Sequence, residues 1–230
     1  MLTAVNRPTT PRPAGRFILL PFIFVIGLGS CFVLAQSLDE ATIRIAVSDS
    51  PAWHTKKFKG ETSYSPEWQG GRVVTRAESE GAASGRYHPL QLSVNNYPEI
   101  SWSWKIRQTV PVTDPMTKAG DDYAARVYLI FPGRFFWQRR AITYVWADQQ
   151  PVGTVLPSPF TDQVALIVVE SGNRYAGNWR EETRNYAADY RSFFHEDAPD
   201  PIAVAIMTDT DNTGGRATAW YGDILFRRKR

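Results

Sequence analysis

PIAVAIMTDTDNTGGRATAWYGDILF, residues Pro201 to Phe226, is the stretch whose reading decides the fold. Ile202 to Met207 is an unbroken apolar run of strand length, and Ala217 to Phe226 is a second extended segment rich in aromatic residues. Between them stand Asp209, Asp211, Asn212, Thr213, Gly214 and Gly215, side chains that favour turns because they bond to their own backbone or tolerate positive φ. Strand, turn and returning strand predict a β-hairpin with an acidic tip. The rest of the chain should supply the sheet around it.

Outward from this stretch the same rhythm recurs. Ile100 to Arg107 alternates strictly: Ile100, Trp102, Trp104 and Ile106 share one face, while Ser101, Ser103, Lys105 and Arg107 share the other. The flanking isoleucines mark the tryptophan face as dry, so core packing is preferred to sugar stacking there. Further strands are expected near Ile43 to Val47, Arg72 to Ser79, Arg86 to Val94, Tyr123 to Phe131, Ala141 to Ala147 and Gln163 to Glu170, the last apolar on both faces and so central. Trp53 to Tyr64 is polar and aromatic, with a turn at Phe58-Lys59-Gly60. Asn178 to His195 breaks the rhythm. Tyr186, Tyr190 and Phe193 or Phe194 fall at helical spacing there, predicting one short helix near residues 185–195, and Glu181-Glu182 with Arg180 and Arg184 reads as a solvated charged turn. About nine strands and one helix predict an all-β chain, a single β-sandwich spanning 36–226.

The N-terminus reads as a targeting device. Arg7, Arg12 and Arg16 precede the apolar run Phe17 to Ala35, and no acidic residue occurs in this segment. Export to the periplasm or the extracellular space is expected, with residues 1–35 a signal peptide cleaved after Val33-Leu34-Ala35. Two alternatives stay open: an uncleaved membrane anchor, and lipidation at Cys31 in Leu28-Gly29-Ser30-Cys31. Membrane contact is expected through this segment only. The 230-residue chain carries 26 Lys and Arg against 23 Asp and Glu, and removal of the first 35 residues leaves 23 of each. Four of those cations form the basic tail Arg227-Arg228-Lys229-Arg230, so the remainder has no surplus with which to neutralise phosphates, and nucleic-acid binding is not expected. Cys31 is the sole cysteine, which removes disulfides, thiolate metal sites and a cysteine nucleophile from the exported domain.

Catalytic motifs are scarce. Asp209-Thr-Asp211-Asn-Thr213 superficially matches the nucleophile loop of haloacid-dehalogenase-type phosphatases, but 17 residues follow Thr213, too few for the βα units such a fold requires. An EF-hand fails too, because Trp220 stands where its closing bidentate glutamate belongs. Hard oxygen ligands from several loops remain, so Asp209, Asp211 and Asp223 are the candidate ligands of a structural calcium ion, with Asx capping of a tight turn as the plainer alternative. No nucleophile elbow, zinc helix, phosphate loop or dinucleotide fingerprint occurs, and His54, His88 and His195 are scattered. Carboxylate pairs for glycoside hydrolysis would have to come from Glu181, Glu182, Asp189, Asp209, Asp211 or Asp223. Eight tryptophans and ten tyrosines leave an aromatic signal. Arg126, Tyr128, Tyr144, Trp146, Trp179, Asp189 and Tyr221 combine flat apolar faces with polar groups that take hydroxyls, and are the candidate glycan-binding residues.

Met207 to Gly215, Ala219 to Phe226, Ile100 to Ile106 and Asn178 to Arg191 together resemble the bacterial domain of unknown function family 3047, over about Trp53 to Phe226. The resemblance brings no catalytic residues. It implies a galactose-binding-like jelly roll, in which Asp223 would help a calcium site and the concave sheet face would take the ligand. The expected function is therefore an exported, non-catalytic sandwich that binds a cell-envelope or extracellular glycan. Its rivals are a hydrolase or lyase using paired carboxylates and an envelope scaffold protein.

Overall fold

The computed structural model describes residues 41–48, 51–135 and 138–229. The targeting segment, Cys31, Phe136, Trp137 and Arg230 lie outside the described residues. Thirteen strands and one α-helix follow in order: β1 (Thr42–Ile45), β2 (His54–Lys59), β3 (Ser63–Gln69), β4 (Arg72–Glu80), β5 (Ala83–Pro89), β6 (Glu99–Ile106), β7 (Arg126–Phe131), β8 (Arg140–Ala147), β9 (Val155–Ser158), β10 (Thr161–Ser171), β11 (Arg180–Asn185), α1 (Tyr186–Phe194), β12 (Ala203–Asp209) and β13 (Arg216–Arg227). No helix among them is long and apolar enough to cross a membrane.

They form two sheets. A six-stranded sheet runs β11-β6-β13-β4-β3, with β1 also on β13, and a seven-stranded sheet runs β2-β5-β12-β7-β8-β10-β9. Every pairing is antiparallel except β8 with β10. Successive strands from β4 to β7, and again from β10 to β13, switch sheets, a jelly-roll winding of the kind expected.

The stretch 201–226 is not a hairpin. β12 lies between β5 and β7 in one sheet, and β13 between β6 and β4 in the other, so its acidic turn is an arch from sheet to sheet. Both strands are central and almost wholly buried, which explains the unbroken apolar run of the first and the aromatic content of the second. Thr210 fastens the arch: its amide donates to Ala82 O at 2.9 Å, its carbonyl accepts from Gly214 N at 2.9 Å, and its Oγ1 lies 2.9 Å from Ser79 Oγ.

Between the sheets lies an aromatic core. Trp102 stacks on Tyr144 with ring centroids 4.9 Å apart, and Trp104 meets Trp146 at 5.9 Å. Ile100, Ile106, Phe131, Tyr186 and Phe226 complete it. A second apolar cluster, with Tyr128, Val145, Leu166, Ala205 and Met207, lies on the opposite face of the seven-stranded sheet. The expected helix is α1, Tyr186–Phe194. Asn185 starts it by accepting from Ala188 N at 2.9 Å, and His195 ends it in the left-handed region at φ 59°. The charged segment Arg180–Asn185, expected as a turn, is instead edge strand β11 on β6.

Candidate functional site

Most of the expected ligand residues point inward. Tyr144, Trp146 and Tyr221 belong to the core between the sheets and Tyr128 to the second cluster, all buried. Their polar atoms are used internally: Tyr144 Oη donates to Asp189 Oδ2 at 2.8 Å, Trp146 Nε1 to Gly172 O at 3.0 Å, Tyr221 Oη to Met207 O at 2.6 Å, and Tyr128 Oη lies 3.7 Å from Met207 Sδ. Asp189 is also gripped by Arg184, Nε to Oδ2 at 3.0 Å. These residues hold the sandwich together and do not form one open cleft. Of the expected set, only Trp179 lies on an outward face among charged groups.

Arg126 is the buried ionic centre. Its guanidinium reaches Asp209, Nε to Oδ1 at 2.8 Å, and Asp121, Nη1 to Oδ1 at 3.2 Å, and all three side chains are shut off from solvent. Burial raises the Asp209 and Asp121 carboxyls while Arg126 pulls both back. Asp122 turns to the arch, accepting from Thr213 N at 2.6 Å and from the Asn212 amide and side chain at 3.1 Å. One oxygen each from Asp122, Asp209 and Asp211 lies within 4.8 Å of the others, a spacing that suits a hard cation. Asp223 stands apart, paired with Arg44 Nε at 2.6 Å and accepting from Val47 N at 3.3 Å. Of the three aspartates expected to hold calcium, Asp209 and Asp211 thus lie together with Asp122, and Asp223 lies outside this cluster. Against these carboxylates and Asp121 stand Arg126 and Lys59, the latter donating to Asp211 O at 2.7 Å. Burial pushes the Asp209 carboxyl up to about 8, and a bound cation would offset that cost, so an ion held here should make the melting temperature higher in calcium than in chelator. At an ion concentration a hundred times Kd the gain is about 2.7 kcal/mol. Identical melting curves would leave Arg126 and Lys59 as the counter-charges of the cluster among the described residues.

A carboxylate pair appears where no local motif announces one. Glu170, on the inward side of β10, is buried and bound by Arg180. Glu182 of β11 accepts from Trp104 Nε1 at 3.3 Å, and burial first, then repulsion from Glu170, push its carboxyl up to about 7. Glu182 was among the candidate acids. Glu170 was hidden inside an apolar strand.

The open feature is the outward face of the six-stranded sheet. Because Trp102 and Trp104 turn inward, Ser101, Ser103 and Lys105 turn outward, and the register sets Lys105 beside Trp220, and Trp220 beside Arg76. Trp179, just before β11, flanks Lys105 on the other side. Lys105 Nζ lies 4.3 Å from the Trp220 ring centroid and 5.4 Å from that of Trp179, and the Arg72 guanidinium carbon lies 4.6 Å from the Trp179 centroid. Such spacings allow cation–π attraction. Gln69 Oε1 accepts from Lys105, and Arg72 Nη2 donates to Ser103 Oγ at 3.0 Å. Arg72 reaches Ser103 by passing over Gly222, where a Cβ would fall 2.2 Å from Ser103 Oγ and 3.3 Å from Arg72 Nη1. The Gly222 backbone therefore clears a path across β13. The alternation of β6 signalled Ser103 and Lys105, but nothing local in the sequence joins them to Arg72 or Trp220.

Several solved structures are similar in outline. The family 30 carbohydrate-binding module of a cellulosomal cellulase from Clostridium thermocellum is 10% identical, with 80% of this chain and 96% of that one covered, at TM-score 0.47. Endoglucanase 3 of family GH12 from Trichoderma harzianum is 9% identical over 84% of this chain and 100% of that one, at 0.43. An adhesin domain of Lys-gingipain from Porphyromonas gingivalis is 13% identical over 83% and 100%, at 0.40. Likeness at this level says nothing of ligand or reaction. No curated protein matches. The model of one sequence family, described as protein of unknown function (DUF3047), matches residues 51–225, and the chain belongs to that family.

Proposed function

We propose that this chain is an exported β-sandwich that binds a cell-envelope or extracellular glycan, without turning it over, on the outward face of its six-stranded sheet. The observation that carries the reading is the row Trp179, Lys105 and Trp220 with Arg72, Gln69 and Ser103 beside it. The half-buried Trp179 indole offers flat apolar surface to the C–H face of a sugar, the buried Trp220 ring supports Lys105 on its other side, and the neighbouring amide, hydroxyl and cationic groups take the sugar's hydroxyls. This moves the site away from Arg126, Tyr128 and Tyr221, whose groups are spent inside the protein. Export is supported by the three arginines and the apolar run of the first 35 residues.

A glycan array followed by calorimetric titration tests the reading. Trp179→Ala should weaken binding about tenfold or more, as removal of a central aromatic anchor does, with the fold unchanged by circular dichroism. Absence of binding to every envelope and extracellular polysaccharide tried would sink the glycan half. Recovery of the chain from the cytosol alone would sink the export half.

A further inference from the structure

The cations on this face are not equally satisfied. Arg76 lies 2.6 Å from Glu78 and 3.7 Å from Glu67, two carboxylates for one guanidinium. Among the described residues Arg72 and Lys105 make no ion pair: Arg72 bonds to a hydroxyl and rests on an indole, and Lys105 bonds to an amide oxygen and stands between two indoles. Partial burial disfavours the Lys105 ammonium and lowers its pKa, with partial relief from Glu67, whose carboxylate accepts from the same Gln69 amide that Lys105 donates to. The two cations converge, since both lie over the same Trp179 ring. Of the acids in phase with this face, Glu67 and Glu78 are engaged by Arg76 and Glu80 by Arg216, while Glu181, opposite Ser103 on the edge strand, and Glu99, at the far end of β6, have no ion pair among the described residues.

We infer that the ligand is an acidic polysaccharide whose sugar ring carries a carboxylate, which Arg72 and Lys105 hold while Trp179 contacts the ring. The inference rests on the glycan reading above and adds the charge of the ligand. A guanidinium presents parallel N–H donors that match the two oxygens of a carboxylate, and an ammonium beside it adds a point charge. Lys105, half-buried and without an ion pair among the described residues, gains more from such a group than from a neutral hydroxyl, because the charge–charge attraction is stronger where water is partly excluded, and exposed Arg72 adds its donors from the open side. The bare Gly222 backbone fits this role, since it lets the exposed Arg72 lie across β13 toward Ser103 and Trp179.

The test uses the full chain and two probes of one backbone, oligogalacturonate and its methyl ester, titrated at low and at high salt, with oligomannuronate and its ester as a second pair. The acid form should bind at least tenfold tighter than the ester, and added salt should shrink the difference. Arg72→Gln with Lys105→Gln should erase the preference while leaving the melting temperature unchanged, whereas Trp179→Ala should weaken both forms. Equal or tighter binding of the esters would overturn the acidic-ligand inference and leave the glycan reading standing. Binding of neither form, with neutral glycans still bound on the array, would do the same. Failure of every glycan, acidic and neutral, would remove both.

Discussion

Arg126→Ala should cost the domain about 3–5 kcal/mol, the range for removing one partner of a buried ion pair. The loss comes less from the missing attraction than from what stays behind. Asp209 and Asp121 keep their burial but lose the guanidinium that both accept from, and Asp122 and Asp211 stand close by with the same sign. Urea melts would read the change as a lower midpoint. Arg126→Met combined with Asp209→Leu removes the cation and its main anion together, and should recover part of the loss, since an apolar replacement of a buried pair is often near neutral. A loss below about 1 kcal/mol in the single variant would mean that the pair behaves like an exposed one, with water screening the cluster.

Trp104→Ala should cost a similar amount, about 3–5 kcal/mol, for a different reason. Trp104 is fully buried, packs on Trp102 at 5.4 Å and Trp146 at 5.9 Å, and holds Glu182 through its indole nitrogen. Alanine leaves a cavity among rigid rings that cannot collapse into it. Trp104→Phe should cost less, since it keeps part of the packing and loses the bond to Glu182. The same experiment settles the two readings of the alternating strand: a sugar-stacking tryptophan would lose binding and keep stability, and a core tryptophan loses stability first.

What was legible in the sequence, and what was not, divides by position in the sheets. Ile100, Trp102, Trp104 and Ile106 were read inward and lie inward, because alternation along a half-buried strand is a direct imprint of its two faces. Strands β7, β8, β10, β12 and β13 were read from apolar runs, and α1 from the spacing of Tyr186 and Tyr190. The missed or misread strands are β2, β3, β9 and β11, the outermost strands of the two sheet paths. Edge strands carry charge and proline to discourage pairing with other chains, as His54-Thr-Lys-Lys-Phe-Lys59 and Arg180-Glu-Glu-Thr-Arg-Asn185 do. That same polarity hides them from a search for hydrophobic rhythm. The arch at Thr210 reads as a hairpin in the sequence because a turn signal tells where the chain reverses and not whether its two strands share a sheet. The site was less legible still. Arg126 and Asp209 are 83 residues apart and Lys59 and Asp211 are 152 apart, and no local pattern announces such meetings.

The pairing of β1 with β13 has a topological consequence. Ala41 O accepts from Arg228 N at 3.0 Å, so the two ends of the described chain leave the sandwich at one corner. A linker of a few residues would close the chain into a ring there, and new ends could be opened at the Gly70-Gly71 turn between β3 and β4. The row containing Trp220 lies six residues along β13 from Phe226, roughly 20 Å at the rise of a strand. Fixing the protein to a solid support by either end would therefore hold it at a corner remote from that row, with Trp179 free to meet a polymer in solution.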